Sequence, residues 1–79
     1  MTNLEKYNGA FKNALGVAEK DLPALEYGKI AAWDSAGHMI LIAELEDTFK
    51  ISLAVADIMK FNSYAGGRQI LENYGVKFD

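Results

Sequence analysis

No cysteine occurs among the 79 residues. Disulfide staples are therefore excluded, and the chain owns no thiol for thioester or redox chemistry. One histidine, His38, leaves any zinc site resting mainly on carboxylates, against that metal's usual ligand set. No stretch approaches the roughly 20 apolar residues of a membrane helix. Met1 to Gly9 is polar, so no secretory leader is expected and a cytoplasmic location is the default. Proline occurs once, at Pro23, and there is no repeat, low-complexity tract or linker. The chain reads as one domain spanning 1–79. A domain of this size buries only about 60 % of the surface its unfolded chain exposes. Without disulfide or metal it must rely on well-packed helices or sheet, and a hydrophobic content of 51 % can supply that core.

The net charge is −3, and it is unevenly placed. Residues 1–33 balance four acids against four bases. Residues 34–57 set Asp34, Glu44, Glu46, Asp47 and Asp57 against Lys50 alone. Such an acidic middle repels nucleic-acid phosphates and suits basic protein partners. The plainer meaning of clustered charge is a solvated helix face.

Periodicity points to helices. Thr2 followed by Glu5 is a capping box, so a first helix should start near residue 3. Leu4, Tyr7, Phe11, Ala14 and Leu15 would line its buried face, and Gly16 would end it. Residues 17–33 show no sustained period, which predicts a long loop lying over the core. Asp34 and Ser35 both suit the N-cap of the clearest helix, with Leu41, Ile42, Leu45 and Phe49 facing inward. Ala36, Ile40, Ala43, Glu44 and Asp47 share the opposite face. Ile40 breaks the polar pattern there as an exposed apolar contact. A loop and a short helix fit residues 50–62. Ser63 caps a last helix whose inner face is Ile70, Leu71 and Tyr74, which Gly66-Gly67 would weaken and Gly75 would end. No segment alternates with period two. The expectation is an all-α fold, a small helical bundle of three main helices plus one short helix.

Within it, the stretch from Trp33 to Phe49 resembles the phosphopantetheine attachment region of acyl and peptidyl carrier proteins. Asp34, Ser35, the Leu41/Leu45 face, Glu46-Asp47 and Phe49 stand at that family's spacing, and the element order matches over nearly the whole chain. The resemblance implies an acyl-carrier-protein-like bundle. It implies a 4'-phosphopantetheine arm, taken from coenzyme A, attached to Ser35, with Asp34 aiding recognition by the transferase. The arm's thiol would supply the sulfur this chain lacks. Ala36, Met39, Ile40, Ala43, Glu44, Glu46 and Asp47 would form the partner-binding face, its acids meeting basic patches on partner enzymes. Small Ala36 and Gly37 would leave room for the arm. A phosphodiester at Ser35 would also face the positive end of a helix dipole.

The implied role is a stand-alone, non-catalytic, monomeric carrier of acyl or aminoacyl thioesters. Its partners would be a phosphopantetheinyl transferase, a loading ligase or acyltransferase, and a downstream synthase or transferase. No nucleic-acid partner and no membrane span are expected. Ala36 stands where the family usually has leucine, and Gly37 and Ile40 stand where acids are common. Those departures favour a specialised biosynthetic pathway over general fatty-acid synthesis. Two other readings compete. One is an unmodified helical adaptor that docks through the acidic second helix. The other is a small hydrolase built on Asp34, Ser35 and His38, which would need an ordered relay and a pocket. His38 is otherwise expected on the surface or facing a partner. Trp33 is expected as a core aromatic, and Met39 and Met59 as cavity lining or core filler.

Overall fold

Four α-helices and one 3-10 helix make up the computed structural model, which describes residues 1–78; Asp79, the last residue of the expected domain, lies outside them. Helix α1 is Asn3–Leu15, α2 is Ser35–Phe49, α3 is Val55–Lys60 and α4 is Tyr64–Glu72, with the 3-10 helix at Glu19–Ala24 between α1 and α2. Among the described residues there is no strand, only an isolated antiparallel bridge between Glu26 and Ser63. The fold is an all-α helical bundle, as the periodicity predicts. Among the described residues no helix is long and apolar enough to cross a membrane.

Local chemistry sets the helix ends. The Thr2 hydroxyl accepts from Glu5 N at 3.1 Å, and Glu5 returns a carboxylate oxygen to Thr2 N at 2.8 Å. Accepting the Thr2 backbone N–H, and bonding its side chain as well, holds the Glu5 carboxyl below its usual range. Gly16 ends α1 with φ at 68°, in the left-handed region where glycine is at ease, and its N–H reaches Lys12 O. Ser63 caps α4 by accepting from Gly66 N at 2.9 Å.

The core is one cluster. Tyr7, Ala10, Phe11 and Leu15 of α1 meet Leu41, Ile42 and Leu45 of α2, with Phe61, Tyr64 and Leu71 closing the far side. Phe11 is its hub, with the rings of Tyr7, Trp33, Phe61 and Tyr64 all between 5.0 and 6.2 Å away. Leu4 and Ala14 of the expected inner face are only partly buried, and Ala10 takes the place between them.

Two expectations change. The segment 17–33 is not all loop, because Glu19–Ala24 winds into a 3-10 helix that includes Pro23 and is pinned by buried Leu22. Six residues are too few to show a period, which is why the sequence reads as unstructured there. Gly66-Gly67 is also more than a weak start to α4. A Cβ on Gly67 would collide with the Phe61 ring and sit 2.5 Å from the Tyr7 hydroxyl. The glycine is what allows α4 to close on the aromatic hub.

Candidate functional site

The head of α2 is organised by Asp34. Its backbone is extended, and its Oδ1 accepts from Gly37 N at 2.8 Å. Asp34 is therefore the N-cap and Ser35 the first helical residue. The sequence allows either residue to cap; the structure gives the cap to Asp34 and leaves Ser35 exposed at the positive end of the helix.

Gly37 does not leave room for a ligand, as the sequence reading has it. It is buried, and an added Cβ would run into the backbone carbonyl of Ala32. Its smallness lets the loop fold down beside the serine. Ala36 is exposed next to Ser35 and remains the small residue open to solvent there.

His38 departs furthest from expectation. It is partly buried, not a surface residue. Nδ1 accepts from Trp33 Nε1 at 3.0 Å, and Nε2 lies 2.7 Å from Ile58 O. An indole N–H can only donate, so Nδ1 must be bare and Nε2 must carry the proton. Trp33 is fully buried, as the core reading predicts, and its ring lies nearly parallel to the imidazole at 22°. No sequence pattern announced this link; it needs the α2–α3 turn to bring Ile58 back to the first turn of α2.

An open cleft of about 380 Å³ runs from Ser35 between α2 and α3. Its walls are mainly apolar: Met39, Ile58, Met59 and Phe61, with Tyr27 and Asn62 at the edge. Met39 and Met59 are not core filler, being 55 % and 77 % exposed on either side of the cleft.

The acids of α2 do not share the one partner-binding face that the resemblance implies. Glu44 is partly buried and lines a shallow groove shared with Glu5, Lys6 and Lys12 of α1. Glu46 turns the other way, and its Oε2 accepts from Leu53 N at 2.9 Å, fastening the turn into α3. Asp47 alone stays fully exposed, with Lys50 Nζ 3.7 Å from it. The outward face of α2 is instead Ala36, Met39, Ile40, Ala43 and Asp47, and Ile40 is 54 % exposed as expected of an apolar contact.

Helix α3 meets the core through partly buried Ile58 and is tied by several polar bonds. It has no fully buried residue and no side-chain cap. The Tyr74 hydroxyl accepts from Ala54 N at 2.9 Å and donates to Asp57 Oδ2 at 2.5 Å. The Ala54 N–H pulls the Tyr74 phenol down, but the Asp57 hydrogen bond, burial and nearby carboxylates outweigh it and leave the group above its ordinary range. Among the described residues no cluster of three or more His, Asp or Glu side chains could hold a metal ion. Compared with known proteins, the chain matches no family model, no curated protein and no solved structure.

Proposed function

We propose that the protein is a carrier that holds acyl or aminoacyl intermediates as thioesters on a 4'-phosphopantetheine arm attached to Ser35. One observation carries the reading: Asp34 caps α2, so the Ser35 hydroxyl is exposed and released from the ordinary duty of a serine before a helix. The residues present fit the arm. A phosphodiester on Ser35 would meet the helix dipole and the free N–H groups of the first turn. The apolar cleft starts at the same serine and offers the arm a surface to lie along. When bound, the arm supplies the thiol that this cysteine-free chain lacks.

The chain's own residues have separate tasks in this reading. Asp34 fixes the serine at the first helical position and presents a carboxylate beside it to the phosphopantetheinyl transferase. Ala36, Met39, Ile40 and Ala43 offer a small, apolar docking face, with Asp47 as its charged edge. Glu44 and Glu46 contribute little to docking, since each is turned toward its own flank of the helix. The partners are the transferase, a loading ligase or acyltransferase, and a downstream synthase or transferase. The cargo belongs to a specialised pathway, since the docking face is less acidic than the resemblance leads one to expect.

The second reading is the unmodified adaptor that docks through the acidic second helix, and the exposed Ile40 and Asp47 on α2 support it. The hydrolase reading has less support. Asp34 Oδ1 is spent on Gly37 N, and both His38 nitrogens are engaged by Trp33 and Ile58, so the three side chains form no relay. Peptide mapping of the protein isolated from its native cells separates the readings. The carrier reading expects phosphopantetheine on Ser35, within the tryptic fragment ending at Lys50. A fragment wholly unmodified, from cells whose other carriers are loaded, favours the adaptor.

A further inference from the structure

We propose that His38 is a proton-sensitive latch holding the end of α3 in place as one wall of the cleft beside Ser35. The imidazole bridges two parts of the fold. On one side it accepts from the buried indole of Trp33, and on the other it donates to Ile58 O near the end of α3. Both contacts require the neutral ring with its proton on Nε2. A second proton would land on Nδ1 and face the Trp33 N–H, donor against donor. The bridge would then lose its Trp33 bond and push the ring off its seat.

Helix α3 is built to respond. Its six residues include none that is fully buried, and Val55 and Met59 stand in solvent. Its other polar ties, Leu53 N to Glu46 and Asp57 to Tyr74, lie toward its start; at its far end Ile58 packs partly buried on the core, buried Phe61 follows it, and the His38 bond is the side-chain hydrogen bond there. Releasing the latch therefore frees the end bearing Ile58 and Met59, which is one wall of the cleft. Elements with so few buried apolar contacts open at low cost. The titratable groups around the imidazole are few. Tyr27 packs edge-on at 5.5 Å, Asp34 at the head of α2 is engaged with Gly37, and on α3 Asp57 is engaged with Tyr74 while Lys60 is exposed. The ring's two hydrogen bonds go to Trp33 and to the Ile58 carbonyl, and neither partner is a carboxylate.

The inference concerns the unmodified chain and goes beyond the carrier reading, so each can fail without the other. Trp33 is the only tryptophan and reports the latch directly. Two substitutions split it: His38→Asn keeps an acceptor near the Nδ1 position, and His38→Gln keeps a donor near the Nε2 position. Three results are expected for the protein without its arm. Imidazole 15N spectra at neutral pH show Nε2 protonated and Nδ1 bare. Trp33 emission follows a one-proton transition on acidification while the helical circular dichroism holds, and neither variant shows it. Hydrogen exchange of α3 amides speeds up by roughly five- to tenfold in His38→Asn, as expected for one lost hydrogen bond, and stays near the parent rate in His38→Gln. An Nδ1-protonated ring, an emission that is flat until the whole fold unfolds, or the same transition in both variants would overturn the latch. So would α3 exchange that is unchanged in His38→Asn.

Discussion

Tyr7 shows how much one buried polar group can set. Its ring is fully buried against Phe11 and Tyr64, and its hydroxyl donates to Tyr64 O at 2.6 Å. Burial pushes its phenol far above the ordinary tyrosine range, the neighbouring Tyr64 adds to the rise, and Arg68 opposes it. The folded state thus favours the neutral phenol. The stability this contributes is complete below the unfolded tyrosine value of about 10 and is lost as pH rises beyond it. Urea unfolding between neutral pH and pH 11 should show a loss above about pH 10 that is shallower in Tyr7→Phe. The same variant should cost about 1 kcal/mol at neutral pH for its missing hydrogen bond. The cap at α2 is a second residue-scale case. Asp34→Ala should lower stability by about 1 kcal/mol, whereas Ser35→Ala should leave the thermal midpoint nearly unchanged. Sequence alone could not divide that cap between two adjacent residues that both serve well there. The division depends on the extended backbone of Asp34, which the preceding loop imposes.

At the scale of elements, the helices with a long apolar face and the short helix within residues 50–62 were legible, and the 3-10 helix was not. The starts of α1 and α4 follow from Thr2, Glu5 and Ser63, because capping is a local bond between near neighbours. The 3-10 helix escaped because it is shorter than the window in which a period can appear. The glycines were misread for a different reason: a close approach depends on what arrives from elsewhere in the chain. Gly37 admits the Ala32 carbonyl, and Gly67 admits Phe61 and Tyr7. Alanine at either position should destabilise by about 1–3 kcal/mol, as overpacking does, although helix propensity alone predicts a gain. Chemical denaturation of Gly37→Ala and Gly67→Ala, with partly buried but unobstructed Gly9→Ala as the control, checks this. Adding a Cβ at Gly9 meets nothing within 4 Å, so that variant should be neutral or stabilising.

At the scale of the whole molecule, the distribution of acids separates what a linear reading sees from what a helix presents. Glu44, Glu46 and Asp47 are neighbours in sequence, yet α2 sends them to the α1 groove, the α3 turn and solvent respectively. A step of 100° per residue was enough to foresee this spread; the matching family spacing drew attention to the acids as a set instead. Charge reversal at Asp47 should therefore change the salt dependence of partner association and little else, as exposed charges do. An Ile40→Asp change, at the centre of the apolar face, should weaken partner binding at least about tenfold with the fold intact, as a desolvated anchor would. Titration calorimetry against a loading enzyme separates the two.

The central claim is that Ser35 carries the arm. It is tested most directly by intact mass after incubating the protein with coenzyme A, magnesium and its native phosphopantetheinyl transferase, beside a Ser35→Ala control. The account predicts a gain of one phosphopantetheine on the parent and none on Ser35→Ala, with both chains equally helical. A folded parent that gains nothing, or a Ser35→Ala variant that gains as much as the parent, would contradict it.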